Sequence, residues 1–267
     1  MAEVVIVPDE RAGGRLAAAR IARLVTTKPD AVLGLATGAT PLSTWAALAE
    51  YGLDLSQVRG FALDEYVGLP AGHPESYREV LLRTVVKPLG LDPDLVHVPG
   101  DDGGDLATAG QRYEEAIRAA GGVDLQVLGI GRTGHIGFNE PGSSLASLTR
   151  VKTLTEQTRR DNARFFSSLD EVPRHCITQG LGTILRAREL LLLAWGEAKA
   201  EALAAAVEGP VTASLPASAI QLHPEVTVIV DEAAASRLRF ADYYRYAWEN
   251  RPDWARDEDR PSSVTGA

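Results

Sequence analysis

The chain has 267 residues, 45% of them hydrophobic, with a formal net charge of −9 and one cysteine, Cys176. That length holds one large α/β domain or two small ones, and the negative charge argues against non-specific nucleic-acid binding. A single cysteine excludes an internal disulfide or a multi-cysteine zinc site and fits a reducing compartment.

No apolar run reaches membrane-spanning length. Residues 1–14 (MAEVVIVPDERAGG) lack a basic segment followed by a long apolar one, so no secretory signal is visible and a cytoplasmic location is expected. Residues 3–7 read as a buried strand, and 11–25 as a helix with Leu16, Ala19, Ile21, Leu24 and Val25 on its apolar face. A second strand at 31–36 ends in Thr37-Gly38-Ala39-Thr40-Pro41, with a helix over 42–50. A third strand at 60–63 runs into Asp64-Glu65-Tyr66, and 74–86 reads as a helix. Residues 88–104 form a connection, 109–120 a helix closed by Gly121-Gly122, and 123–130 a buried strand. Beyond the loop that follows, helices are expected at 155–169, 178–187 and 197–207, and strands at 189–194 and 225–230. A C-terminal tail over 241–267 begins aromatic and ends polar, with disorder expected at its end.

Strands alternate with helices throughout. This predicts a single α/β domain over 1–240, a doubly wound, mostly parallel, Rossmann-like sheet with helices on both faces. Ligands bind such sheets at the carboxyl ends of the strands. Three informative stretches fall there: 37–41, 64–66 and 129–140.

The loop at 129–148 (GIGRTGHIGFNEPGSSLASL) carries four glycines in nine positions, one imidazole, His135, and one carboxylate, Glu140. Glycines let backbone approach a ligand closely, and a titratable pair at a strand end suits acid–base chemistry. Gly38, Ala39 and Thr40 resemble an anion cradle, with Thr40 as N-cap and Pro41 as first helical residue. Arg164 and Lys199 are candidate cations beside it. Asp64 and Glu65 point to opposite sides of an extended backbone, so at most one faces a cleft. A nucleophile reading of His175-Cys176 lacks a supporting base pattern, and metal ligation by His135 and Glu140 lacks a second local imidazole. The glycine pattern from Gly129 does not lead into an apolar helix, as a dinucleotide fingerprint requires.

ATGATP (36–41), LDEYVGLPAGHPESYR (63–78), GHIGFNEPGSSLASLTRVKTLT (134–155), ARFF (163–166) and QLHPEVTVIVDE (221–232) closely resemble the glucosamine-6-phosphate deaminase family. The resemblance implies an enzyme of the hydrolase class in amino-sugar catabolism. It converts glucosamine 6-phosphate and water to fructose 6-phosphate and ammonia, with neither metal nor organic cofactor. Asp64 matches the family's proton-shuttling carboxylate, His135 the ring-opening histidine and Glu140 the carboxylate that orients it. Gly38, Ala39, Thr40, Arg164 and Lys199 match the phosphate site. Thr133 departs from the pattern, because the family commonly has Asp or Asn there. A hydroxyl forms hydrogen bonds but carries no negative charge, so Glu140 is left as the anionic partner of His135. Ser143, Arg150, Lys152 and Thr153 match part of an allosteric site for N-acetylglucosamine 6-phosphate found in hexameric members. Monomeric members exist too, so a homo-oligomer is one possibility. A 6-phosphogluconolactonase-like hydrolase or a non-catalytic sugar-phosphate sensor of the same fold remain alternatives.

Overall fold

The structure is a computed structural model and describes residues 3–253. Its strands are β1 (Glu3–Val7), β2 (Val32–Leu35), β3 (Arg59–Ala62), β4 (Asp64–Val67), β5 (Val96–His97), β6 (Leu125–Gly129), β7 (Arg150–Thr153), β8 (His175–Thr178), β9 (Glu189–Ala194) and β10 (Val226–Asp231). The α-helices are α1 (Glu10–Thr27), α2 (Leu42–Ala49), α3 (Tyr77–Leu81), α4 (Lys87–Leu89), α5 (Leu106–Ala119), α6 (Glu156–Asn162), α7 (Leu181–Ile184), α8 (Ala200–Glu208) and α9 (Ala241–Glu249).

Seven strands form one sheet in the order β1-β10-β9-β6-β2-β3-β5, with every pairing parallel. The fold is the expected α/β, Rossmann-like one. Leu190, Leu191, Leu192 and Leu193 of β9 and Val228, Ile229 and Val230 of β10 are fully buried, because helices cover both faces of a parallel sheet. From β2 the chain moves outward through β3 and β5; from β6 it moves the other way through β9 and β10. The gap between β2 and β6 is therefore the switch point where loops diverge and leave a crevice.

Several local expectations are corrected. Residues 150–153 and 175–178 are strands, and with β4 they form a second, antiparallel sheet in the order β4-β8-β7. The helix expected over 178–187 shrinks to α7, because Thr178 ends β8 paired with Asp64 of β4 and Gly180 is still in extended backbone before Leu181. The helix expected over 155–169 stops at Asn162 and becomes a 3₁₀ turn at Ala163–Phe165, with Phe166 in extended backbone. The helix expected over 74–86 starts at Tyr77, capped by the Ser76 side chain, and passes through a π-helical turn at Leu82–Val86. Thr40 is not an N-cap: α2 begins at Leu42 after Pro41, without a side-chain cap. The Thr40 carbonyl instead accepts the Trp195 indole N–H at 2.8 Å.

Residues 241–249, read from sequence as tail, form α9, whose Tyr244 is buried against the core beside β1. The polar end of that tail, from residue 254, lies outside the described residues. Among the described residues no helix is long and apolar enough to cross a membrane.

Candidate active site

A cleft of about 480 Å³ opens at the switch point. One wall is the β2–α2 turn, with Thr37, Gly38, Ala39 and Thr40. Gly38 has φ of 86°, a left-handed conformation that favours glycine. Opposite stands the loop after β6, with Gly131, Arg132, His135, Gly137 and Phe138. Asp64 enters from the start of β4, and Lys199 from the turn before α8. The segment around α6 adds Thr158, Asp161, Asn162, Arg164, Phe165 and Phe166. The cleft thus gathers Gly38, Ala39, Thr40, Asp64, His135, Arg164 and Lys199, which sequence had placed on five separate stretches.

Asp64 and Glu65 take opposite faces of β4, as the extended backbone requires. Asp64 is buried in the cleft wall, where burial, then the charge of Glu65, push its carboxyl up to about 8 despite a hydrogen bond from the Phe138 amide. Glu65 turns away and accepts the backbone amides of Tyr66 (2.7 Å), Tyr77 (2.9 Å) and Arg78 (2.9 Å). It satisfies the otherwise unpaired N–H groups at the start of α3 and ties that helix to the strand carrying Asp64. Burial raises the Glu65 carboxyl, and those amides offset part of the rise.

The loop after β6 is held by a tight turn. Gly134 N donates to Gly131 O, and Gly131 N to His135 O, both at 2.9 Å. This folds the imidazole back over Gly131, where any side chain would collide with Nε2. Thr133 Oγ1 lies 2.8 Å from His135 Nδ1 and donates to Glu140 Oε2 at 3.3 Å. His135 Nδ1 and Glu140 Oε2 are themselves 3.4 Å apart. Glu140 is buried behind the imidazole and also accepts the hydroxyls of Thr155 and Thr158. Burial pushes its carboxyl up, but His135 and the threonine hydroxyls together hold it below the ordinary value. A carboxylate kept ionised behind a histidine orients the ring.

Lys199 Nζ donates to the Ile130 carbonyl at 2.7 Å, at the root of the same loop. Burial, then the neighbouring charges of Arg164 and Arg132, lower its ammonium below the ordinary lysine value. Arg164 lies 4.7 Å above the Phe165 ring. On the side of the cleft formed by β4 and α3, Tyr66 packs against Tyr77, Phe138 and Phe166 with ring centroids 4.9, 5.6 and 5.7 Å away. The Tyr66 hydroxyl accepts Asn162 Nδ2 at 2.9 Å.

Four sequence-matched residues lie outside this cleft. Arg150 and Lys152 share one face of β7 and Thr153 the other. Arg150 Nη1 donates to Asn139 Oδ1 at 2.7 Å, and Asn139 Nδ2 donates to the Ile136 and Gln179 carbonyls. Ser143 is buried, with its Oγ unpartnered. Among the described residues no group of three His, Cys, Asp or Glu side chains could hold a metal ion. Sequence reading missed Arg132 and the aromatic wall. An arginine in a glycine-rich turn looks like any solvated charge, whereas Tyr66, Tyr77 and Phe138 stand inside the quoted motifs and could have been found there.

A doubly wound sheet whose switch point carries a glycine-bearing strand-to-helix turn, a buried carboxylate and a Glu-backed histidine is the architecture of an α/β enzyme acting on small molecules. The sequence model of the family described as glucosamine-6-phosphate isomerases/6-phosphogluconolactonase matches residues 10–229. A glucosamine-6-phosphate deaminase of Bifidobacterium longum strain DJO10A is 60% identical, over 95% of this chain and 99% of that protein. One of Streptomyces coelicolor is 60% identical over 94% and 98%. The solved structure of a monomeric glucosamine-6-phosphate deaminase is 41% identical with a TM-score of 0.85, covering 89% of this chain and 100% of that one. The chain belongs to the glucosamine-6-phosphate isomerase family. The hydrolase class expected from sequence is corrected by these findings: the relatives are named deaminases and the family is described as isomerases, so the activity is isomerisation with loss of ammonia.

Proposed function

We propose that the chain converts glucosamine 6-phosphate and water to fructose 6-phosphate and ammonia. The observation that carries this reading is one cleft shared by Asp64, by His135 with Glu140 behind it, and by the cradle at Thr37, Gly38, Ala39 and Thr40. Identity of about 60% to deaminases supports it over a lactonase or a sensor.

The phosphate sits against the β2–α2 turn, with Arg164 and Lys199 as counter-charges. His135 takes the anomeric hydroxyl proton and returns one to the ring oxygen, which opens the ring. Asp64 then removes the C2 proton, and the electron pair forms the C1–C2 double bond of an enol-amine. The same carboxyl returns the proton to C1 as the C2–nitrogen double bond forms. Water adds to C2 and ammonia leaves, giving the ketone. A carboxyl raised to about 8 can hold and return a proton near neutral pH.

We assign Ser143, Arg150, Lys152 and Thr153 to a second phosphosugar site; the bond from Arg150 to Asn139 supports a link to the catalytic loop. The lone, buried thiol of Cys176 supports a cytoplasmic setting. The test is ammonia release from glucosamine 6-phosphate, run beside hydrolysis of 6-phosphogluconolactone. Ammonia without lactone hydrolysis is expected; the reverse overturns the reading.

A further inference from the structure

The turn closed by Gly134 N and Gly131 O places Arg132 and Thr133 at its two central positions. Thr133 reaches back onto His135, while Arg132 lines the cleft with Arg164 and Lys199. Among the described residues none of these three cations has a carboxylate within ion-pair distance, although Lys199 feels the opposing charge of Asp161. Three like charges around one cleft repel one another, and the carboxylates of that cleft, such as Asp161, offset them only from beyond ion-pair distance. An anion of high charge seated among them would relieve that repulsion.

We propose that Arg132 is a third cation of the phosphate site, carried on the turn that positions Thr133 and His135. The inference rests on the deaminase reading and deepens it. Nothing in the matched motifs gave this residue a role. Its position explains how phosphate is felt at the catalytic loop. Lys199 already clamps the root of that loop through the Ile130 carbonyl. Arg132, on engaging the phosphate, clamps the tip. Binding energy from a part of the substrate remote from C1 and C2 then goes into holding the imidazole in place.

The experiment is titration of the full chain with inorganic phosphate, followed calorimetrically, for the parent, Arg132→Ala, Arg132→Lys and Arg164→Ala, with thermal melting as the fold check. A lost charge-assisted hydrogen bond should weaken phosphate about tenfold or more in Arg132→Ala. Arg132→Lys should recover part of that loss, since it restores the charge but not the planar fork. With glucosamine 6-phosphate, Arg132→Ala should lower kcat as well as raise KM. Parent-like phosphate binding by Arg132→Ala beside weakened binding by Arg164→Ala overturns the inference. Parent-like binding by both variants overturns the phosphate pocket itself, and the function reading with it.

Discussion

Thr133 Oγ1 sits between His135 Nδ1, 2.8 Å away, and Glu140 Oε2, 3.3 Å away, so a neutral hydroxyl links imidazole to carboxylate. A hydroxyl has one proton; when it goes to Glu140, the oxygen can only accept from Nδ1–H. That leaves Nε2 free to take a substrate proton. Glu140→Gln removes the anion at the end of this relay and should lower turnover about a hundredfold or more. Thr133→Ala leaves the 3.4 Å approach of His135 to Glu140 and should cost less than about tenfold. Thr133→Asp should move the acid limb of the pH–rate profile to higher pH, because a second carboxylate favours the charged imidazole. Turnover against pH for the three variants checks all of this; a crippled Thr133→Ala beside a healthy Glu140→Gln would reverse the roles.

Gly131 has no room for a side chain because the His135 ring lies over it. Its φ is not in the left-handed region, so alanine brings no backbone strain there. Gly131→Ala should therefore fold, with a melting temperature close to the parent's, yet displace the imidazole and lose roughly a hundredfold in turnover. Circular dichroism and ammonia release measured together test it. Full activity in a folded variant would show that the ring position does not matter.

Arg164→Ala and Lys199→Ala should each raise KM for the phosphorylated sugar about tenfold, and free glucosamine should be a very poor substrate. Lys199 has a lowered ammonium value, so its positive charge is present below that value and lost as pH rises through it. The alkaline rise in KM should therefore begin at lower pH than an ordinary lysine would give, and vanish in Lys199→Ala. Unchanged KM in both variants would place the phosphate elsewhere.

The main sheet and the two glycine-rich turns were legible from sequence because buried parallel strands are continuous apolar runs and glycines mark sharp turns; the exception is β5, a two-residue edge strand inside 88–104, which was read as a connection. The small sheet was not. RVKT and HCIT are four-residue strands of mixed polarity that pair across more than twenty residues, and nothing local specifies that pairing. Their absence from the reading also misdrew the helices at 155–169 and 178–187. Asp64 was correctly separated from Glu65 by the alternation of an extended strand, but the amides that hold Glu65 come from α3, far along the chain. Thr133 was visible as a departure from the family pattern. Its place between His135 and Glu140 depends on the turn at 131–134, which only three-dimensional geometry shows. Arg132 carries no sequence signal, since its significance lies in the company of Arg164 and Lys199.

Asp64 also predicts a pH-dependent stability. Its folded value of about 8 lies above the ordinary carboxylate value, so between roughly pH 4 and 8 the folded chain binds more protons than the unfolded one. Stability of the free enzyme should fall as pH rises through that window. Asp64→Asn removes the effect. It should melt close to the parent near pH 4 and at increasingly higher temperature than the parent up to about pH 8. A constant difference between the two across this range would contradict the raised value.

The most direct measurement is ammonia release and fructose 6-phosphate formation from glucosamine 6-phosphate, followed together for the parent and for Asp64→Asn. The parent should yield the two products in equal amounts, and the folded variant should be slower by roughly two or more orders of magnitude, the usual contribution of a positioned acid–base group. No ammonia from the parent, or near-parental rates from Asp64→Asn, would contradict the assignment of Asp64 as the carrier of the proton between C2 and C1.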